Sequence, residues 1–484
     1  MRMLRPTETL LQAVRYSFRQ ALRNPRFTAL VLVILVLGIG ADTAIFSLAE
    51  AALFPPFPVR DPGRLVGVYT SGPKGKGYSS TSYPDYVYYR DHNQLFSGLT
   101  AYLDLPLRWT HEDQTSFPWA AMVSSNYFAV LGVRPIIGRT FLSTIDRVGS
   151  QSAAAVVSDQ FWRRQLASDP NVIGRHLVLN GHVFTVAGVL PKSFEGVDLA
   201  WGGIPEIWIP VAMEAVVLPN RGTLNVLRSR EAREFLVMGR LKQGVSMEGA
   251  RAEMKVAARQ LAQAYPVADK GRTAFVLTAN ESRMWPGWRE SVIQALLLLG
   301  SAVGFVLLVA CANVANLLLT RAVARQREIA VRLAIGSSRA RVIAQLLTES
   351  LLLAIMGALG GLLFADLLVT VAPPFELSPQ MHMNLNLRID YRVFLYTLLL
   401  SLIVTIVFGL IPAFSASQVN LTQALKEASG QSSTRIGGRR VRRGIVIVEL
   451  AFAFLCLLGG GLFVRSLLHL ENSDLGFDPH NVLT

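Results

Sequence analysis

Three stretches place reactive residue types at spacings that suggest chemistry. Ser71-x-x-Lys74 has the interval at which a lysine activates a serine nucleophile, but that arrangement needs a helix beneath the serine, and "TSGPKGKGYSSTS" reads as a flexible loop. His111-Glu112 opens an H-E-x-x-H zinc pattern that no second histidine completes. "GPKGKG" lacks the G-x-x-x-x-G-K-[ST] spacing by which backbone amides cradle a phosphate. No G-x-S-x-G or paired metal-ligand cluster occurs, and the seven histidines are scattered. The expectation is a chain without catalytic residues, metal or cofactor.

The strongest charge pattern is "RQREIAVRLAIGSSRAR" at 325–341, which sets five arginines against one acid. On a helix, Arg325, Glu328 and Arg332 share one face at i, i+3 and i+4 spacing, and Ile329, Ala330, Leu333 and Ala334 occupy the adjoining face. Gly336 is a natural stop, and Ser337 or Ser338 can cap the next helix. The residues leave two readings open: an interfacial helix resting on anionic lipid headgroups, or a docking element for a cytosolic partner.

What positions this segment is a set of apolar runs. Of 484 residues, 51% are hydrophobic and 17% charged. Five runs are long enough to cross a bilayer, which takes about 20 apolar residues: 27–53, 291–320, 343–372, 393–415 and 445–465. The first is too long for a signal-peptide core and reads as an uncleaved anchor. Arginine and lysine are retained on the cytoplasmic side. Segments 1–26 and 321–342 carry six arginines each, and segment 416–444 carries five with Lys426, each against a single acid. The short loop 373–392 and the tail 466–484 carry no such excess. The alternation puts the N-terminus, the 321–342 loop and the 416–444 linker in the cytoplasm, and residues 54–290 outside. The net charge of +14 is then mainly topogenic, which removes the case for a nucleic-acid partner.

Residues 54–290 contain no cysteine, so this large domain needs a core of its own. Asn180-Gly181 between β-rich runs predicts a hairpin, and runs at 65–69, 154–158 and 234–241 predict strands. "VSMEGARAEMKVAARQLAQAYP" predicts a helix capped by Ser246, with Met247, Ala250, Met254, Ala257 and Leu261 on one stripe. The expected fold is a polytopic α-helical membrane protein with a large α+β extracytoplasmic domain. Inside the runs, Asn313, Asn316, Glu349 and Glu449 are the polar candidates, and an interhelical hydrogen bond between the asparagines and Glu349 is geometrically reasonable. Glu349 and Glu449 also suit the N-terminal ends of their helices.

"RQREIAVRLAIGSSRARVIAQLLTESLLLAIMGALGGLL" resembles the membrane core of MacB/FtsX-type ABC transporter permeases. "SYPDYVYYRDHNQLFSGLTAY", "VSSNYFAVLGVRPIIGRTF" and "DPNVIGRHLVLNGHVFTVAGVLPKSFEG" resemble the MacB-like periplasmic core domain, particularly in the internally duplicated orphan-permease branch. The resemblance implies a bacterial inner-membrane protein whose 325–335 segment is a coupling helix seated on a separate cytosolic ATPase. Its first two helices would relay ATP-driven motion to the periplasmic domain for efflux or export. A periplasmic adaptor or envelope protein is a further expected partner, in a dimer or an internally duplicated pseudo-dimer. The alternative is an FtsX-like regulator that recruits or activates an envelope hydrolase. A secondary transporter with its own midplane site is disfavoured, because the runs show neither broken helix pairs nor a buried charged cluster.

Asp61-Pro62 after the first run and Asp478-Pro479 after the fifth occupy matching contexts, each followed by two residues and two aliphatics. They suggest that the fifth run opens a second repeat, in a truncated product or the first part of a longer permease.

Overall fold

The computed structural model describes residues 15, 17–20, 22–54, 57, 59–72, 76–111, 114–141, 153–197, 203–218, 226–335, 338–371, 376–378, 381–382, 391–417 and 436–471. Lys74, Glu112, Gly336, Ser337 and the Asp478-Pro479 pair lie outside these residues. The chain divides into two compact units, residues 52–293 with 374–386, and the remainder.

The helices are α1 (Pro25–Leu53), α2 (Tyr83–Asp91), α3 (Tyr127–Leu131), α4 (Asp159–Gln165), α5 (Glu214–Val217), α6 (Met247–Ala264), α7 (Ala279–Ser282), α8 (Pro286–Ala324), α9 (Gln326–Ala334), α10 (Arg339–Val371), α11 (Tyr391–Ser417) and α12 (Ile436–Glu471). In the first unit, β15 (Glu376–Ser378) and β16 (Met381–His382) pair with each other, and the strands of the large sheet are β1 (Leu65–Ser71), β2 (Tyr78–Ser79), β3 (Thr81–Ser82), β4 (Phe96–Pro106), β5 (Trp109–His111), β6 (Gln114–Ser116), β7 (Trp119–Val123), β8 (Ile137–Gly138), β9 (Ala154–Val157), β10 (His176–Leu179), β11 (His182–Val189), β12 (Ile207–Pro210), β13 (Arg233–Leu241) and β14 (Ala274–Thr278).

These strands form one mixed sheet in the order β14-β1-β13-β4-β7-β12-β9-β11-β10-β5-β6, with β2, β3 and β8 paired onto β1, β13 and β11. The β7/β12 and β9/β11 pairs are parallel, and the other pairs along that order are antiparallel. Alternation at period two sends successive side chains to opposite faces. Ile207 and Ile209 therefore enter one core while Trp208 between them enters another. In β7, Ala120 and Met122 face the first core and Ala121 and Val123 the second. A sheet buried on both faces accounts for strands that read as continuous apolar runs.

Local signals produce the elements expected of them. Ser246 accepts from Gly249 N at 3.1 Å to start α6, whose Ala250, Met254, Ala257 and Leu261 are buried against the first core. Asn180 and Gly181 take left-handed φ values of 49° and 85° between β10 and β11, as a two-residue hairpin turn requires. Ser71, the serine of the hydrolase-like spacing, is fully buried, and its Oγ accepts from Thr273 N at 2.9 Å.

In the other unit, α1 packs at the centre. Val31, Leu35 and Ile39 meet Leu307, Cys311 and Val314 of α8, Leu353 of α10 and Val404 of α11. Glycine permits the closest approach: a side chain at Gly40 would collide with the carbonyl of Gly361 at 2.9 Å, and one at Gly361 would meet Gly40 N at 3.1 Å. Gly361→Leu is expected to overpack this contact at a cost of about 1–3 kcal/mol, read as a lower unfolding temperature in detergent than that of the parent. Along the same helix, Tyr396 of α11 donates to Asp42 and stacks on Phe46, Thr43 and Thr397 hydroxyls lie 3.1 Å apart, and Arg392 donates to Glu50 at 3.2 Å.

Among the described residues, four helices are long and apolar enough to cross a membrane, over Pro25–Leu53, Pro286–Arg321, Arg339–Val371 and Glu449–Ser466, and Tyr391–Ile406 is a shorter apolar stretch. Leu297, Leu298, Leu363, Leu395 and Leu457 on these helices are exposed, which suits a lipid face and would be a liability in water. The helices outrun the apolar segments. The 39 residues of α8 reach about 58 Å at 1.5 Å per residue, against a hydrocarbon core of about 30 Å. Similarly, α12 begins at Ile436, inside the stretch expected to be linker.

Candidate functional site

The basic segment after the second apolar run folds as expected into a short helix, α9, almost continuous with α8. Arg325 N donates to Arg321 O and Ile329 N to Arg325 O, each at 3.1 Å, so the backbone carries helical hydrogen bonds through the junction. The next helix is capped by Ser338, whose Oγ accepts from Arg341 N at 3.4 Å.

Side-chain placement departs from the sequence reading in one respect. Ile329 and Ala330 are turned inward, with 6% and 7% of their surface exposed. Ile329 therefore seats the helix and offers no outward surface. Among the described side chains, Val331 and Ile335 are large apolar groups facing away from the unit, 52% and 81% exposed. Both lie at i, i+4 spacing and form an outer patch. The side chains of Arg332 and Leu333 lie outside the described set, as does Gly336.

Arg325 joins two of the other named residues. Its guanidinium lies 3.6 Å from Glu328 within the same segment and 3.2 Å from Glu349 on α10. The Arg325 and Glu349 side chains are 17% and 12% exposed. An acid this far into α10 lies beyond the first-turn reach of the helix dipole; the arginine compensates its burial. The expected hydrogen bond from the asparagines to Glu349 is not what forms. Asn316 Oδ1 is buried with no hydrogen-bond partner among the described residues. Asn313 sits half-buried on α8, and Glu449 half-buried on α12. Neither shares a hydrogen bond or ion pair with the other candidates among the described residues.

The sequence contained a signal for the pair. Arg325 and Glu349 stand at matching distances on either side of the break between α9 and α10, so antiparallel helices joined there bring them to one level. No comparable signal marked Val331 and Ile335, because α9 has apolar residues on two faces and only packing decides which turns inward.

No group of three or more His, Cys, Asp or Glu among the described residues has metal-binding geometry. What the arrangement presents is a short helix with exposed apolar side chains at Val331 and Ile335, joined by an ion pair to the helix that follows it.

Comparison with known proteins agrees with this architecture. The MacB-like periplasmic core domain matches residues 28–257, and the FtsX-like permease C-terminal domain matches residues 300–421. An uncharacterized ABC transporter permease, YvrN of Bacillus subtilis, is 26% identical over 65% of this chain and 72% of its own length. The macrolide export ATP-binding/permease protein MacB of Campylobacter jejuni is 25% identical over 82% of this chain and 57% of its length. The pyoverdine export ATP-binding/permease protein PvdT of Pseudomonas entomophila is 24% identical over 62% of this chain and 42% of its length. The chain thus spans about half the length of these two export proteins. The two domains, in this order on one chain, make it a member of the MacB/FtsX-type ABC transporter permeases. It is a membrane protein with an α+β extracytoplasmic domain of the MacB-like periplasmic core type.

Proposed function

We propose that this chain is the permease subunit of a mechanotransmission-type ABC exporter. It carries no substrate through its own helices; a separate cytosolic ATPase, cycling beneath it, moves the domain held between α1 and α8. The carrying observation is α9, a nine-residue helix between two membrane-length helices, with Val331 and Ile335 turned outward and Arg325 held to Glu349. In this reading α9 is the coupling helix, residues 321–342 and 416–444 lie in the cytoplasm with the N-terminus, and residues 54–290 lie on the periplasmic side of a bacterial inner membrane. The long α1 and α8 supply stiff shafts from one compartment to the other. The relatives named for a role are exporters, which supports export over activation of an envelope hydrolase.

Tagged chain solubilised from native membranes is expected to bring down a nucleotide-binding subunit with vanadate-sensitive ATP hydrolysis. Purification without any such subunit, under conditions that keep the chain folded, would overturn the proposal.

The exit from the outer domain yields a smaller prediction. Thr278 and Glu281 form a capping box on α7, just before α8. Partial burial opposes ionisation of Glu281, but hydrogen bonds from Thr278 amide and hydroxyl, with Arg289 and Arg251 nearby, hold its carboxyl below the ordinary range. A depressed carboxylate stabilises the fold fully above its unfolded pKa of about 4.3, and the gain disappears as pH falls through the lower folded value. Thr278→Ala is expected to lower amide protection at Ser282 and Arg283 by about fivefold at pH 7, the equivalent of ~1 kcal/mol for a lost cap. The difference between parent and variant should narrow below about pH 4.

A further inference from the structure

The stretch "VRDPGR", which repeats in outline near the end of the chain, receives no role from the coupling helix. It lies in the connector between α1 and β1, and one side chain ties it to two elements of the sheet domain. Arg240 of β13 donates Nη2 to Arg60 O at 2.7 Å and Nη1 to Asp61 O at 3.2 Å. The same guanidinium donates Nε to Val130 O at 2.7 Å and Nη2 to Leu131 O at 3.1 Å, the last carbonyls of α3. Five fixed donors on a planar fork suit four carbonyls at once, and a cation belongs at a helix C-terminus.

Three other contacts fasten the same connector. Arg64 donates Nε and Nη2 to Leu241 O at 3.0 and 2.7 Å. Arg283 lies over the Phe57 ring at 5.0 Å. Gly132, left-handed at φ 70° beyond α3, leaves room for Arg60, whose Cβ would lie 2.8 Å from any Cβ placed there. Asp61 is itself left-handed at φ 46°, a conformation a non-glycine residue keeps only where surrounding contacts impose it. Leu65, the first residue of β1, is the register partner of Arg240, so the fixation sits where the connector becomes sheet.

We infer that Arg240 is the rivet joining the chain that leaves α1 to the central sheet of the outer domain, a positioning residue through which displacement of α1 is delivered to that domain. The role rests on the mechanotransmission reading, but the rivet is testable without an ATPase.

The test uses the full chain in lipid nanodiscs, with Cys311 and Cys456 replaced by alanine. One nitroxide pair at positions 54 and 183 spans the rivet, and a control pair at 256 and 183 lies within the domain. All three positions are exposed. With Arg240 present, the 54/183 distance distribution is expected to be narrow. Arg240→Met should widen it at least twofold and leave 256/183 unchanged, and Arg240→Lys, which reaches fewer carbonyls, should widen it less. An unchanged 54/183 distribution in both variants overturns the rivet. If Arg240→Met also widens 256/183, the domain itself has loosened and Arg240→Lys decides: widening of 54/183 alone supports the rivet, and no widening overturns it. A chain that shows the widening yet recruits no ATPase sinks the permease reading and leaves the rivet in place.

Discussion

A chain carrying Val331→Asp and Ile335→Asp is expected to lose its ATPase subunit on purification while keeping its own fold. Both side chains already face away from the membrane unit, so the substitutions disturb no internal packing. Burying each apolar group against a partner contributes about 1.5–3 kcal/mol, and an unpaired carboxylate in the same seat adds a desolvation cost of about 1–3 kcal/mol. At ~1.4 kcal/mol per decade, the pair should weaken association by more than about a hundredfold. Recovered ATP hydrolysis per mole of chain is the readout, and undiminished recovery contradicts a docking role for α9. Ile329→Asp provides the contrast. That residue is buried beneath the helix, so its replacement is expected to lower the unfolding temperature of the chain as well as its ATPase content.

Breaking the Arg325–Glu349 pair is expected to produce the second large effect. Arg325→Ala leaves a mostly buried carboxylate on α10, and Glu349→Ala leaves a mostly buried guanidinium at the start of α9. Removing one partner of a buried pair costs about 3–5 kcal/mol, and the residual water access here brings the expected loss to about 2–4 kcal/mol. The doubly substituted Arg325→Glu, Glu349→Arg chain should regain part of it. A double-mutant cycle on thermal unfolding in detergent should therefore show strong coupling. Additive losses would mean that the two residues act independently and that α9 is not held through them.

Elements whose causes are local were legible in the sequence. The Ser246 cap and the stripe from Ala250 to Leu261 specify α6 within one stretch of chain, and Asn180-Gly181 specifies its own turn. The apolar runs gave the membrane helices, but not their ends. Helix α8 begins at Pro286 and α10 at Arg339, each a turn or so before its apolar run, because charged and polar residues with good helix propensity continue a helix that hydropathy cannot register. Sheet order was not legible. β1 lies between β13 and β14, which follow it by more than 160 residues, and alternation fixes which side chains share a face but not which strands are neighbours. The candidate site shows the same division. A helix at 325–335 follows from spacing, but the inward turn of Ile329 and the outward turn of Val331 and Ile335 depend on what packs beneath. Arg240 escaped notice for a related reason: its partners are backbone carbonyls of residues far away in sequence, and carbonyls carry no residue-type signature.

The central claim is that α9 meets a cytosolic engine while the sheet domain works on the opposite side of the bilayer. Single cysteines at positions 183 and 335, introduced into a chain whose two native thiols are replaced by alanine, test it with a membrane-impermeant maleimide on intact spheroplasts. Position 183 should react at once, and position 335 only after the membrane is opened. Labelling of 335 from outside, with 183 protected until lysis, would contradict the account.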